Sequence, residues 1–226
     1  MKTTMILLVT ILVVALSGCN LTAAPTTPTT IPAAAPTLEF IQPTATPPQL
    51  ATSTPIPPMT TEQTVLDRAT QVITALKDRD MTVLSGYVSP QSGLRFSPYA
   101  VVKTTDQIFP AGKVAGLFSD ATLYTWGAFD GTGEPINLTF ADYFAKFIYD
   151  EDFANAPQVA LNHRLGISTT MDNAAEFYPG AMIVEFYIPG VDAAMQGMDW
   201  RSLRLVFQEE SNTWFLVGII HDNWTT

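Results

Sequence analysis

Ten prolines fall between Asn20 and Met59: Pro25, Pro28, Pro32, Pro36, Pro43, Pro47, Pro48, Pro55, Pro57 and Pro58. Thr and Ala fill most of the gaps, and Glu39 is the only charge. No apolar repeat of period 2 or 3.6 survives there. The segment therefore lacks the apolar surface to offset the entropy of ordering it. Proline keeps it extended, at roughly 3.1 Å per residue where polyproline II forms, so it reads as a semi-rigid stalk on the order of 100 Å long at full stretch. A core can then be built only from residues 60–226, which amount to one domain. The same tract would also suit a proline-binding domain, although the charged flanks such ligands often carry are missing. Its threonines are open to O-glycosylation.

Upstream of the stalk, Lys2 precedes an apolar run from Met5 to Leu16 broken only by Thr10. About 12 residues is the length of a signal-peptide core, whereas a membrane-spanning helix needs roughly 20. The run ends in Leu16-Ser17-Gly18-Cys19, and Cys19 is the only cysteine, so no internal disulfide can form. This stretch resembles the bacterial lipobox, in which the thiol is alkylated with diacylglycerol and the Cys becomes the first residue of the mature chain. The alternative is an ordinary secretory signal with a chance Cys. On the lipobox reading, residues 1–18 are a lipoprotein signal peptide and residues 19–59 are a lipidated Cys plus stalk. The resemblance implies a lipid anchor carrying palmitate-type chains on the extracytoplasmic side of a bacterial membrane. Two or more acyl chains hold well, at about 0.8 kcal/mol per buried CH₂.

The formal net charge is −10, and losing Lys2 with the signal makes the mature chain more acidic. No basic patch is present, which excludes nucleic acid as a partner. An acidic domain is not drawn to anionic headgroups, so membrane binding falls to the lipid.

Thr60 to Gln63 reads as a capping box. It opens a helix whose stripe is Val65, Leu66, Ala69, Val72, Ile73 and Leu76. Asp80 is placed to cap a short helix, Met81 to Ser85, stopped by Gly86. Thr139 and Asp142 cap a third, with Phe140, Tyr143, Phe144, Phe147 and Ile148 on one face. Strands are expected at 121–128, 181–188, 203–209 and 213–221, the first ending in the turn at 130–135. Helices first and antiparallel strands last give an α+β fold. The order long helix, short helix, curved sheet resembles the NTF2-like (cystatin-like) cone, in which the helix lies in the concave face of the sheet.

Five segments carry a closer resemblance: SGLRFSPY (92–99), WGAFDGTGEPINLTF (126–140), YDEDFANAP (149–157), GMDWRSLRLVF (197–207) and WFLVGIIHDNWT (214–225). They are similar to a family of uncharacterised lipoproteins and secreted proteins from Bacillus-type and related bacteria. The resemblance spans nearly all of residues 60–226. It implies no assigned activity and transfers no functional residues.

The last two strands can be put in register around a Ser211-Asn212 hairpin turn. Phe207 then opposes Leu216, Leu205 opposes Gly218 and Leu203 opposes Ile220. Ser202, Arg204 and His221 fall on the other face, joined by Glu185 and Tyr187 if segment 181–188 lies alongside. Such a face, with a few polar groups among apolar ones, suits a ligand pocket. The plainer alternative is that Arg204 and Glu185 pair across strands and His221 caps the edge. Asp150, Asp152 and Asn155 have the oxygen density of a calcium loop but lack the Gly and Glu an EF-hand uses. They also follow a helix C-terminus, where negative charge calls for a cation or a nearby Arg.

His163 and His221 are the only histidines, and no zinc-protease, nucleophile-elbow or P-loop motif is present. No cofactor is implied. Trp126, Trp200, Trp214 and Trp224 suit a core, with Trp224 the most exposed. Three readings follow. The first is a non-catalytic envelope lipoprotein binding a small molecule, a wall component or another protein. The second is a hydrolase or isomerase using His221, Asp222, Arg204 and Glu185 in the cone. The third is a structural module that forms a homodimer through the outer sheet face.

Overall fold

The computed structural model describes residues 59–225. The expected signal peptide, Cys19 and nearly all of the expected stalk lie outside the described residues.

Helix α1 (Thr61–Lys77) starts where the sequence places it: the Thr60 hydroxyl accepts a bond from the Gln63 amide at 3.2 Å. The reciprocal half of the capping box does not form, because the Gln63 side chain instead donates along the helix to Asp67 at 2.8 Å. Val65, Ala69, Val72, Ile73 and Leu76 are buried, and Leu66 is half-buried. Asp80 caps α2 (Met81–Ser85) by accepting from Val83 N at 2.9 Å. Gly86 follows it in the right-handed region, at φ −69°, so it is not a left-handed helix stop. The remaining helices are short: α3 (Ala111–Val114), α4 (Phe140–Phe147) and α5 (Ala174–Phe177). Thr139 caps α4 through its hydroxyl and Asp142 N, as expected.

Eight strands form two sheets. They are β1 (Leu94–Ser97), β2 (Gln107–Phe109), β3 (Tyr124–Ala128), β4 (Pro135–Leu138), β5 (Gln158–Leu161), β6 (Met182–Ile188), β7 (Arg201–Glu210) and β8 (Thr213–Asn223). The main sheet has the order β2-β1-β8-β7-β6-β5, and β3 and β4 pair as a separate hairpin. The fold is α+β with an antiparallel-rich sheet. One pairing departs from the expected pattern: β1 runs parallel to β8, with Phe96 opposite Ile219. Strands β1, β2, β4 and β5 were not expected, because three or four residues are too few to display alternation.

One face of the main sheet carries Val184, Phe186, Leu203, Leu205, Phe207, Leu216 and Ile219. They share a single core with α1, α4 and the β3–β4 hairpin. Trp126 sits in this core, fully buried. It stacks on Tyr143 at 3.8 Å between ring centroids, meets Phe96 edge-on at 6.0 Å, and donates its indole N–H to Leu138 O at 3.0 Å. Phe109, Phe140, Phe144 and Phe147 complete the packing. Burial pushes the Tyr143 hydroxyl pKa well above its ordinary value.

The opposite face carries a smaller cluster of Val206, Val217 and Ile220, covered by Val102, Ala174 and Tyr178. Asn173 clamps this cover, accepting from Val102 N at 2.8 Å and donating to Val102 O at 2.9 Å. The chain thus covers much of its own outer face.

Candidate functional site

The β7–β8 turn is Ser211-Asn212, both at positive φ (51° and 62°), as a two-residue hairpin turn requires. Glu210 pairs with Thr213 and Phe207 with Leu216. Beyond them the expected register fails. A bulge at Val217 shifts the pairing so that Val206 meets Gly218, Arg204 meets Ile220 and Leu203 meets His221. Val217 and Ile220 pack in the outer cluster, whereas Leu216 and Ile219 pack in the main core. One extra residue transfers every later side chain to the other face. Arg204 and His221 therefore do not share a face. Asp222 takes the place beside Arg204, and His221 turns to the core.

On the outer face Glu185, Ser202, Arg204 and Asp222 are all at most 2% exposed. Glu185 is the cross-strand neighbour of Arg204, yet its carboxylate binds elsewhere. It accepts from Ser202 Oγ at 2.6 Å and from the backbone N–H groups of Leu165 (2.6 Å) and Gly166 (3.1 Å). Arg204 pairs with Asp172 at 2.8 Å and lies 3.7 Å from Asp222, which Arg164 holds at 2.7 Å. Burial raises the Asp222 pKa despite both arginines. Burial pushes Asp172 up as well, but there Arg204 outweighs it and the pKa is lowered. Tyr187 is half-buried against Trp200, at 5.8 Å between ring centroids. The side chains expected to line a pocket are thus spent on pinning segment 162–172 to the sheet. The cavity beside Arg204 is only about 180 Å³.

His221 meets Asp150 at 3.1 Å and packs edge-on against Phe147. The same Asp150 oxygen pairs with Arg201 at 3.2 Å. Asp222, next in sequence, points to the opposite face, so the His-Asp dipeptide does not act as a unit. His221 Nδ1 and Asp150 Oδ1 are buried without a partner.

The side chains of the 150–155 turn are engaged by other protein groups. Asp150 turns to His221 and Arg201, while Asp152 turns to Lys77 at 3.2 Å, to Tyr149 and to Asn155. Asn155 donates to Asp152, so its amide acts as a donor there. Among the described residues no group of three or more His, Cys, Asp or Glu is placed to hold a metal ion. Arg201 and Lys77 pair with two of the turn's three carboxylates, Asp150 and Asp152.

The largest cleft among those described was not legible in the sequence. Its volume is about 630 Å³. Segment 98–106 forms one wall, with Tyr99, Lys103 and Asp106, and the β3–β4 turn forms the other, with Phe129 and Asp130. The turn closes through Gly131 and Gly133, both at positive φ (79° and 74°), and through Gly133 N donating to Phe129 O at 2.9 Å. Tyr99 joins the walls: its hydroxyl accepts from Asp130 N at 3.2 Å, and its ring packs on Phe147. Asp106 is 6% exposed. One of its oxygens accepts from Ser97 Oγ at 2.6 Å and Lys103 N at 2.9 Å. Burial raises the Asp106 pKa. A smaller cleft of about 290 Å³, lined by Asn223 and Trp224, adjoins it at Tyr99 and Asp130.

No protein-family model matches the sequence, and no curated protein matches it. Among solved structures, a designed NTF2-like protein aligns over 71% of this chain and 97% of its own at 10% identity, with a TM-score of 0.30. A DUF4783 family protein from Bacteroides ovatus aligns over 68% and 92% at 15% identity, TM-score 0.25. AusH from Aspergillus nidulans aligns over 73% and 86% at 14% identity, TM-score 0.27. At these scores the likenesses carry no functional argument.

Proposed function

We propose that this chain is a lipid-anchored, extracytoplasmic binding protein of a bacterial envelope. A non-catalytic NTF2-like domain is held off the membrane by the Pro/Thr stalk, and its ligand seat is the cleft between Tyr99 and Phe129. The anchor rests on the Leu16–Cys19 motif and the sole cysteine. The cone is supported by α1 packing in the same core as the sheet.

One observation carries the binding reading: the interior is packed with aromatic side chains, while an open cleft of about 630 Å³ lies beside it. That volume is in the range of small-molecule sites, roughly 300–1,000 Å³. The hydrolase or isomerase set fits less well, because His221 lies on one face of the sheet and Asp222, Arg204 and Glu185 on the other.

The test is a small-molecule screen on the full chain, read by amide chemical shifts. Shifts clustered at Tyr99, Asp106 and Phe129 support the binding reading. Turnover of any screened compound that disappears in His221→Ala would overturn it in favour of an enzyme. The anchor is tested separately: Cys19→Ser should lose the acyl mass and release the chain from membranes.

A further inference from the structure

The chemistry of the cleft indicates which ligand it takes. Asp106 is a carboxylate buried by its own loop, and only one of its two oxygens is used in holding that loop. The other, Oδ1, takes no hydrogen bond among the described residues and is not sealed from solvent. A buried acid with one open oxygen at the side of a cleft calls for a donor, and a charged donor satisfies it best. Asp130 adds a second carboxylate on the opposite wall.

The remaining walls favour a cation over a neutral donor. Tyr99 and Phe129 contribute aromatic rings, whose faces attract ammonium groups within about 6 Å. One such contact already exists within the chain: Lys146 Nζ lies 5.4 Å from the Phe129 ring centroid. Two of the chain's own cations lie near Asp106, and neither forms an ion pair with its carboxylate among those described: the half-buried Arg95 donates to the Asp106 carbonyl oxygen at 3.2 Å, and Lys103 is exposed. Their attraction does not outweigh the burial of the acid. The net charge of −10 concentrates cations around the whole domain.

We infer that the cleft binds a small organic ammonium ion, with Asp106 as the anionic anchor and Tyr99 and Phe129 as its apolar walls. This rests on the cleft being the ligand seat. The bound molecule pairs its ammonium with Asp106 and lays its carbon body along the two rings. Neutral molecules of the same shape leave Asp106 without a partner and bind more weakly.

The experiment is isothermal titration of the full chain, purified in detergent, with choline and with putrescine. The controls are the neutral isostere 3,3-dimethylbutan-1-ol and acetate. One ammonium probe should bind, and the neutral isostere should bind at least about tenfold more weakly. Asp106→Asn should weaken the ammonium probe by a similar factor. Asn keeps an acceptor for Ser97 and Lys103, and a thermal melt checks that the variant is folded. Phe129→Leu, on the other wall, should weaken it severalfold and serves if Asp106→Asn does not fold. Equal affinity for the isostere, or an unchanged affinity in both variants, would overturn the ammonium assignment. So would the absence of heat from both ammonium probes at millimolar concentration. Amide shifts separate the two levels. A neutral or anionic probe that moves the Tyr99 and Phe129 resonances removes the ammonium class but keeps the cleft. Ligand shifts confined to other regions remove both.

Discussion

The two faces of the main sheet solve burial in different ways. The core face is aromatic, and its stability comes from volume filled around Trp126 and Tyr143. The outer face buries charge: Arg204, Asp222 and Glu185 are at most 2% exposed, within the range of the core phenylalanines. The first face responds to the loss of any large atom group. The second responds only to the loss of a partner, because a buried charge is tolerable only while it is paired. The comparison explains why the polar residues that look most like a binding site are not at the open cleft. They hold segment 162–172 against the sheet.

The largest effect should come from the aromatic face. Trp126→Ala should cost about 3–5 kcal/mol, read by denaturant unfolding, because the packed rings around it cannot close the gap. On the outer face, Arg204→Ala should cost about 3–5 kcal/mol by leaving Asp222 and Asp172 short of a cation. Arg204→Ala together with Asp222→Ala should cost less than the sum of the two single changes. If the two costs simply add, the outer face is not a charge network and the contrast fails. Gly166→Ala comes next. A Cβ there would lie 2.5 Å from the Trp200 ring, and such overpacking typically costs about 1–3 kcal/mol. It should also loosen the loop that Glu185 holds, which hydrogen exchange at Leu165 and Gly166 would report. Thr60→Ala removes the α1 cap and should cost about 1 kcal/mol.

The smallest effect is in pH dependence. Arg204 holds the folded pKa of Asp172 below the ordinary value of 3.8 for an Asp carboxyl. Its contribution to stability is therefore present above that value and is lost as pH falls through the folded pKa. Asp222 is raised, so its contribution has the opposite sign: it is full below 3.8 and is lost as pH rises through the folded pKa. Asp172→Asn should flatten the acid limb of the stability curve, whereas Asp222→Asn should not.

Much of the fold was legible in the sequence. The caps at Thr60, Asp80 and Thr139, the α1 stripe and the Ser211-Asn212 turn all announce themselves through local chemistry. Strands of three or four residues do not, and β1 in particular has no alternation to reveal that it lies between β2 and β8. The candidate site was less legible, for two reasons. The first is the bulge at Val217, a tertiary accommodation with no local signature. It lets Val217 and Gly218 both face outward, where Gly218 gives room to the Tyr178 ring. The second is that the cleft is built from an irregular loop and a glycine turn that are far apart in sequence. The DGTG turn was visible as a turn, and nothing in it indicated that Phe129 and Asp130 would face Tyr99.

The parallel seam between β1 and β8 sets the order in which the domain can be completed. Phe96 and Ile219 are separated by most of the folded chain, and β8 lies inside the sheet, between β1 and β7. A chain that emerges N-terminus first can form α1 and α2 early, but it cannot join the two halves of its sheet until β8 arrives. Contacts of such long range slow folding. Strand β8 thus acts as the lock of the domain: a truncation that removes it splits the sheet.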